Sequence, residues 1–398
     1  MTTHTRCSLC IGKLETVLDL GLTGIANELP SEPQIKQNVF PLVLMKCADC
    51  SQLQLDTEID KETLFNDKYP YVSNTLPSNL AYFTQDAEAL IKRFNPKFVV
   101  DIGSNDGTFL QPFKAAGIKA LGVDPCENIA YIAENNGIRT ICDFFNQSVA
   151  SRILFSEGAV DLITCNNMFA HNRNLDEVVL GVKKLLSNDG TFVFEVAYAM
   201  NMLSKSLFDL IYHEHYHQWR IAPALKYFEK FGLKVVDAQS IPQTHGGSIR
   251  IFVKHVEASA APTKRLLKLL SIESELFNSH LEHFKASVPA LKTNLHNILI
   301  DIQEKGGKIG VLGFPAKACT SMSYFELWKC VDSVYDDNTL KIGRYTHHNY
   351  QIKPTSQIYV DKPDYLIILS WNYQDELMKK HSEFQGKFII PLPKLLVI

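Results

Sequence analysis

No uninterrupted apolar run in the 398 residues approaches the roughly 18 that a membrane-spanning helix requires. The start, Met1-Thr2-Thr3-His4-Thr5-Arg6-Cys7, has no apolar signal core either. Together these absences set the expectation of a cytoplasmic protein with no membrane partner. Long runs of one charge are missing too: the formal net charge is −3, with both signs well mixed. Basic stretches such as Lys264-Arg265-Leu266-Leu267-Lys268 are too short to form a nucleic-acid footprint, so no nucleic-acid partner is expected. Short-period repeats and low-complexity tracts are absent. The cysteines number nine, and an odd count without a secretory signal argues against a disulfide framework.

Four of those cysteines form two Cys-x-x-Cys pairs, Cys7/Cys10 and Cys47/Cys50. Paired knuckles can present four thiolates tetrahedrally to Zn²⁺, which closes the coordination shell and leaves no position open for chemistry. The alternative, two redox motifs, calls for a thioredoxin-like strand-helix context that the surrounding sequence lacks. Cys126, Cys142, Cys165, Cys319 and Cys330 are scattered through apolar or loop contexts.

The length exceeds one ordinary core and suggests two or three domains. Residues 1–70 read as a small metal-held module with short strands around 16–20 and 41–45, whose folding is expected to depend on zinc. Over 71–255 a helix at 79–94, a strand at 98–102, a glycine turn and another helix open a β-α series. Later strands are expected at 120–123, 161–165, 191–196 and 248–253. That alternation implies a parallel, doubly wound sheet with an antiparallel strand near its end. The periodic stretch 261–304 predicts one or two long amphipathic helices connecting domains. Within 256–398 a second, smaller α/β unit follows Gly306-Gly307. It has a strand from Lys308, a helix through Lys329, and strands at 333–337, 365–370 and 388–391.

Asp101-Ile102-Gly103-Ser104-Asn105-Asp106-Gly107 lies where a buried strand turns into a helix, so Gly103 and Gly107 let the backbone pass close to a ligand. Asp124 ends the next strand, placed to accept the hydroxyls of a ribose. A dinucleotide fingerprint would read Gly-x-Gly-x-x-Gly, whereas this loop has two glycines and an acid ahead of the first. Such an acidic strand end suits the sulfonium and amino group of S-adenosylmethionine better than a pyrophosphate. Asp143 and Phe144 follow a third strand position and are expected near the adenine. The stretch Asn166 to His171 follows the fourth strand, at the sheet edge where ligands bind.

Tyr212-His213-Glu214-His215-Tyr216-His217-Gln218-Trp219 brings three imidazoles, a carboxylate and two phenols into eight residues. Methylation at carbon requires a nucleophilic carbon, and the accessible route is to remove a proton next to a carbonyl with a base whose pKa lies near 7. His215 fits that base, Glu214 can orient or polarise a neighbour, and Tyr212 can donate to the enolate oxygen or act as base itself. Each residue alone is more often structural, and the density raises the segment above that reading. His213, His217 and Trp219 read as structural or as supports behind the other three.

The chain resembles the zinc-containing, S-adenosylmethionine-dependent C-methyltransferases that act at C3 of nucleotide-linked 4-keto deoxysugars. The resemblance covers nearly the whole chain. Besides the cysteine pairs and the Asp101 loop it includes Leu20-Gly21 to Ala26-Asn27, Tyr69-x-Tyr71-x-Ser73, Asn166-x-x-x-Ala170-His171 and Tyr212-x-Glu214-His215. Further on it takes in Gly246-Gly247-Ser248-x-Arg250, Gly313-x-Pro315-Ala316-Lys317 and Asp336-Asp337-Asn338-x-x-Lys341-x-Gly343-Arg344-Tyr345.

The resemblance implies a zinc-binding N-terminal domain on Cys7, Cys10, Cys47 and Cys50, a central Rossmann-like methyltransferase domain and a C-terminal Rossmann-like domain that helps hold the nucleotide sugar. It implies that Tyr212, Glu214 and His215 flank the sugar ring, with His215 as first choice for the base and Tyr71 closing the other side. Tyr69, Lys317 and Arg344 are implied as substrate contacts. Asp101, Gly103, Asn105, Gly107, Asp124, Asp143, Phe144, Asn166 and His171 are implied around the cofactor. The turn Gly310 to Lys317 reads equally as a phosphate cradle and as a plain fold element. The rival readings are a methyltransferase of another small molecule or of RNA, and a non-catalytic nucleotide-sugar binder. The missing basic stripe weighs against RNA, and a near-neutral base beside a ring weighs against a pure binder. The sugar, the nucleotide and the oligomeric state stay open.

Overall fold

The computed structural model describes residues 1–398 apart from 36, 67, 68, 71, 74–76, 243 and 245. In the N-terminal part, Leu14–Gly24 and Val39–Cys47 pair antiparallel, and Leu53–Leu55 continues that sheet. Its fourth strand comes from far along the chain: His217–Gln218 pairs antiparallel with Leu53–Leu55, opposing His217 to Gln54 and Gln218 to Leu53. The two long strands exceed the short ones expected from 16–20 and 41–45. Register irregularities between Thr16 and Leu18 and between Asp19 and Leu22 blur the alternation that would have marked their full length.

The helix Pro77–Phe94 buries Phe83, Ala87 and Leu90 on one face and carries Lys92 and Arg93 in its last turn, where cations complement the helix dipole. It packs over a seven-stranded sheet. The strand order is Leu233–Ile241, Ser248–His255, Leu186–Ala197, Val160–Asn166, Phe98–Ile102, Lys119–Asp124 and Thr140–Cys142. The last five are mutually parallel, and the first two add an antiparallel flank to Leu186–Ala197. Every residue of Phe98–Ile102 is buried, as a parallel strand covered on both faces requires. The chain order reverses between Phe98–Ile102 and Val160–Asn166, which opens a crevice at their carboxyl ends.

Lys264–Glu304 forms one helix of 41 residues, started by the Thr263 hydroxyl, which accepts from the Leu266 amide at 3.2 Å. Pro289 lies inside it. Its first half is tied to the central domain, where the Glu273 carboxylate accepts from the Ile221 and Ala222 amides at 2.7 and 3.0 Å. Its second half meets the C-terminal domain, with Lys292 3.2 Å from Glu326.

The C-terminal sheet runs Ile352–Pro354, Ser333–Asp336, Ile309–Leu312, Tyr365–Ile368, Lys387–Ile390 and Leu396–Val397, and only the last strand is antiparallel. Its first five strands repeat the chain order of the central sheet's parallel part, so a second crevice opens between Ile309–Leu312 and Tyr365–Ile368. The helix expected to run through Lys329 is shorter. Ala318–Tyr324 ends before Glu326, whose left-handed backbone (φ 49°) breaks it, and a 3₁₀ turn covers Leu327–Lys329. The main apolar core among the described residues joins the three parts, from Cys7 and Leu9 to Ile390 and Leu392.

Candidate functional site

One cleft of about 1400 Å³ is lined from both crevices: Gly103, Asp124 and Asn166 on the central side, Gly313, Lys317 and Asp336 on the C-terminal side. The segment 212–216 lines it between them.

On the central side, Gly103 and Asn105 take left-handed backbone angles (φ 71° and 50°), which turn the loop back under the Val123 carbonyl. Asp124 fixes that loop by accepting from the Asn105 amide at 2.9 Å and from the Cys126 amide at 3.0 Å. Asp101 is buried and accepts from the Thr164 hydroxyl at 2.7 Å, and burial raises its carboxyl to about 7. A cation in the cleft would draw that carboxyl back to its charged form. Asn166 ends its strand with Nδ2 buried and unpartnered among the described residues, an orphaned donor facing the crevice. This acidic, donor-bearing crevice suits S-adenosylmethionine. Phe144 also lines it, beneath Lys61, whose Nζ lies 4.2 Å from the ring centroid.

The 212–219 segment is held largely by the N-terminal domain. His213 lies edge-on to Phe40, with Nε2 3.1 Å from the Pro41 carbonyl. Glu214 Oε1 accepts from Asn27 Nδ2 at 2.7 Å and Oε2 from the Tyr69 hydroxyl at 3.1 Å. Burial raises the Glu214 carboxyl to about 7, against the opposing pull of those two donors and of the Lys341 charge. His215 Nδ1 lies 3.0 Å from the Leu210 carbonyl. A carbonyl only accepts, so Nδ1 carries a proton and Nε2 of the neutral ring is the acceptor. The Tyr212 hydroxyl, 2.7 Å away, donates to it. His217 is buried, its basicity lowered to about 4, and Trp219 donates to the Phe169 carbonyl at 3.0 Å. His171 stacks on His215 with centroids 5.3 Å apart.

On the C-terminal side, Gly313 (φ 80°) turns the chain after Ile309–Leu312, and Asp336 accepts from the Phe314 and Asn338 amides at 2.6 and 2.7 Å. This repeats what Asp124 does for the first loop. Lys317 donates to Asn372 Oδ1 at 2.6 Å and lies over the Trp371 ring at 3.6 Å, 4.0 Å from Asp209. Burial pushes its ammonium down to about 8, with Asp209 opposing.

The four cysteine sulfurs of the N-terminal part all lie within 4.8 Å of one another. Cys7 to Cys50 is 3.7 Å and Cys10 to Cys47 is 3.4 Å, close to the separation of about 3.8 Å that four Zn–S bonds of about 2.3 Å impose in a tetrahedron. The Leu9 and Cys50 amides point at Cys7 and Cys47 sulfur at 3.4 and 3.5 Å. Burial raises the Cys10 thiol to about 11, and a divalent cation is what would hold these sulfurs as thiolates. The set fits a closed zinc site.

Three residues implied for the cleft do not line it. Gly107 (φ 77°) is a turn position backed by Ile138, Asp143 pairs with Arg152 at 3.1 Å, and Arg344 donates to the Leu29 and Leu340 carbonyls, tying the N-terminal and C-terminal parts together. Tyr71 lies outside the described residues. Asn27, Asp336 and Lys341 carried no assigned role in the sequence, although each falls in a stretch that the resemblance covered. The Asp336 signal was its place at the end of a strand, the same as that of Asp124.

Three family models match in succession: a zinc binding domain over residues 7–65, a methyltransferase domain over 77–238 and a C-methyltransferase C-terminal domain over 243–393. The chain is 28% identical to the C-methyltransferase NovU of Streptomyces niveus over 406 residues, covering 96% of this chain and 94% of that one. Among solved structures, it is similar to an S-adenosylmethionine-dependent methyltransferase of Clostridium acetobutylicum (16% identity, TM-score 0.35, 44% of this chain and 92% of that one). It is also similar to the PH0226 protein of Pyrococcus horikoshii (12% identity, TM-score 0.37, 50% and 100%). In order and extent, the three matched domains and the full-length similarity to NovU are those of an S-adenosylmethionine-dependent C-methyltransferase with an N-terminal zinc-binding domain.

Proposed function

We propose that the protein methylates the carbon next to the ketone of a nucleotide-linked keto-deoxysugar, C3 of a 4-keto sugar. The observation that carries this reading is the Tyr212–His215 pair, set in one cleft between two Rossmann-like crevices. The central crevice holds the cofactor, and the C-terminal one, with Lys317 and Asn372, holds the diphosphate. Bound S-adenosylmethionine supplies an electrophilic methyl group. Tyr212 has a single hydroxyl proton, and turning it toward the ketone oxygen leaves His215 Nε2 to accept the C3 proton. The C–H electron pair then becomes the enolate, which the Tyr212 hydroxyl stabilises. Carbon attack on the methyl group leaves its former bond pair on sulfur.

Glu214 supports a second reading of the base, because burial brings its carboxyl to about 7. Asn27 and Tyr69 already engage both its oxygens, which favours a role in holding a sugar hydroxyl or the Tyr69 phenol.

The test is proton NMR of a TDP-linked 4-keto-2,6-dideoxyhexose in D₂O with the protein and S-adenosylhomocysteine, followed by S-adenosylmethionine. Loss of the C3 proton signal and then a new C3 methyl resonance are expected. An intact C3 signal, with methylation at oxygen or not at all, would overturn the reading.

A further inference from the structure

We propose that Phe65 is a positioning residue for the transfer: the N-terminal domain uses its ring to clamp His171 against His215. The inference rests on the reading of His215 as the base. Four rings contact one another in succession, the first two pairs stacked and the last tilted. Phe65 and His171 have centroids 5.2 Å apart and planes 14° from parallel, His171 and His215 5.3 Å and 22°, and His215 and Tyr212 4.0 Å and 32°. The Phe65–His171 and His171–His215 separations fall in the range where offset stacking of rings is attractive. Tyr69, which bonds Glu214, lies tilted against Phe65 with centroids 5.5 Å apart.

The two ends of the stack belong to different domains. Phe65 follows the short helix Lys61–Leu64 and packs with Phe40 against a small cluster of Ile25, Ile59 and Leu64, separate from the main core. His171 sits on the loop after Val160–Asn166, its amide bonded to the Met168 carbonyl at 2.8 Å. A side chain serving only the small cluster would be enclosed by it, yet Phe65 is half-buried and lines the cleft. The His171 ring thereby stacks both with a ring of the N-terminal domain and with His215. The orientation of His215 toward the reacting carbon then depends on a ring that the N-terminal domain supplies.

The experiment compares Phe65→Leu, which keeps apolar volume without a ring, with Phe65→Tyr, which keeps the ring. Phe65→Met serves as a second ring-free variant should the first fail to fold. Readouts are kcat and KM on the TDP-linked 4-keto-2,6-dideoxyhexose, C3 deuterium exchange with S-adenosylhomocysteine bound, S-adenosylhomocysteine affinity, and zinc per chain. For the ring-free variants, kcat and exchange are expected to fall by about tenfold, with KM, affinity and zinc within about twofold of wild type. Phe65→Tyr is expected within about twofold of wild type throughout. Wild-type exchange in a ring-free variant overturns the proposal, as does a loss of zinc or cofactor affinity as large as the loss of kcat. His215→Asn separates the two readings: retained exchange there removes the base assignment, whereas abolished exchange beside an unaffected Phe65→Leu removes only the role of Phe65.

Discussion

His217 pairs with Gln54 across two antiparallel strands, which makes the end of the proposed proton-transfer segment an edge strand of the N-terminal sheet. Cys47 and Cys50 sit in the turn that leads into that same pairing, where the Cys47 amide bonds the Gln52 carbonyl at 2.9 Å and Arg220 donates to the Ser51 carbonyl at 2.8 Å.

Removing the metal is therefore expected to harm catalysis before cofactor binding. Purified protein should carry one zinc per chain by elemental analysis. Chelation, or Cys47→Ser, should lower kcat by about 10²-fold, the cost of misplacing reacting groups by about 1 Å, while calorimetric affinity for S-adenosylhomocysteine stays within a few-fold. Equal losses of both would show that the zinc domain serves global folding only.

His215→Asn should reduce turnover by about 10²-fold or more, the usual worth of a positioned base, and leave cofactor affinity intact. Steady-state rates and calorimetry on the same preparation decide it. Wild-type turnover would move the base to Tyr212 or Glu214.

Glu214 carries a pH signature in stability. Its folded carboxyl is raised to about 7, above its ordinary value, so the folded state binds more protons between the two values and loses stability as pH rises through that window. The melting temperature of the wild type should fall from pH 5 to pH 8, and Glu214→Gln should flatten part of that fall. Asp86 and Asp101 are also raised to about 7 and will keep part of the slope. An identical slope in wild type and variant would show that Glu214 does not titrate in this range.

Lys317, lowered to about 8 by burial, is charged below that pH and neutral above it. Affinity for a nucleoside diphosphate should drop as pH rises through about 8. Lys317→Ala should weaken binding at pH 7 by about tenfold, the loss of one charge-assisted hydrogen bond. Calorimetric titration with TDP that gives the same affinity in both proteins would assign Lys317 to the Trp371–Asp209 contact alone.

Much of this site was legible because its signals are local. The cysteine spacing, the glycine-bearing loop from Asp101 and the acid at Asp124 each declare themselves within a few residues, and the two acids fall on the consecutive strands Phe98–Ile102 and Lys119–Asp124. What escaped is long-range. Asn27 reaches Glu214, Phe65 reaches His171 and Gln54 faces His217 only because the N-terminal domain folds back over the central one, and no periodicity encodes such a meeting. The extent of the helix Lys264–Glu304 was ambiguous for a different reason. Pro289 suggests a break, yet a buried face including Phe284, Val288 and Leu295 holds the helix through it. Arg344 was read by its motif alone, and its charge serves two backbone carbonyls of the scaffold.

The parallel parts of the two sheets share one strand order, and the first strand of each ends in a glycine turn latched by an acid, Asp124 in one and Asp336 in the other. On the proposed division of the cleft, the donor of the methyl group and its acceptor are read by separate, structurally equivalent readers. Such a chain can be retargeted in evolution, or in the laboratory, by drift confined to the turn and strand ends after Leu312. The machinery around Asp101 and the 212–215 segment can stay untouched.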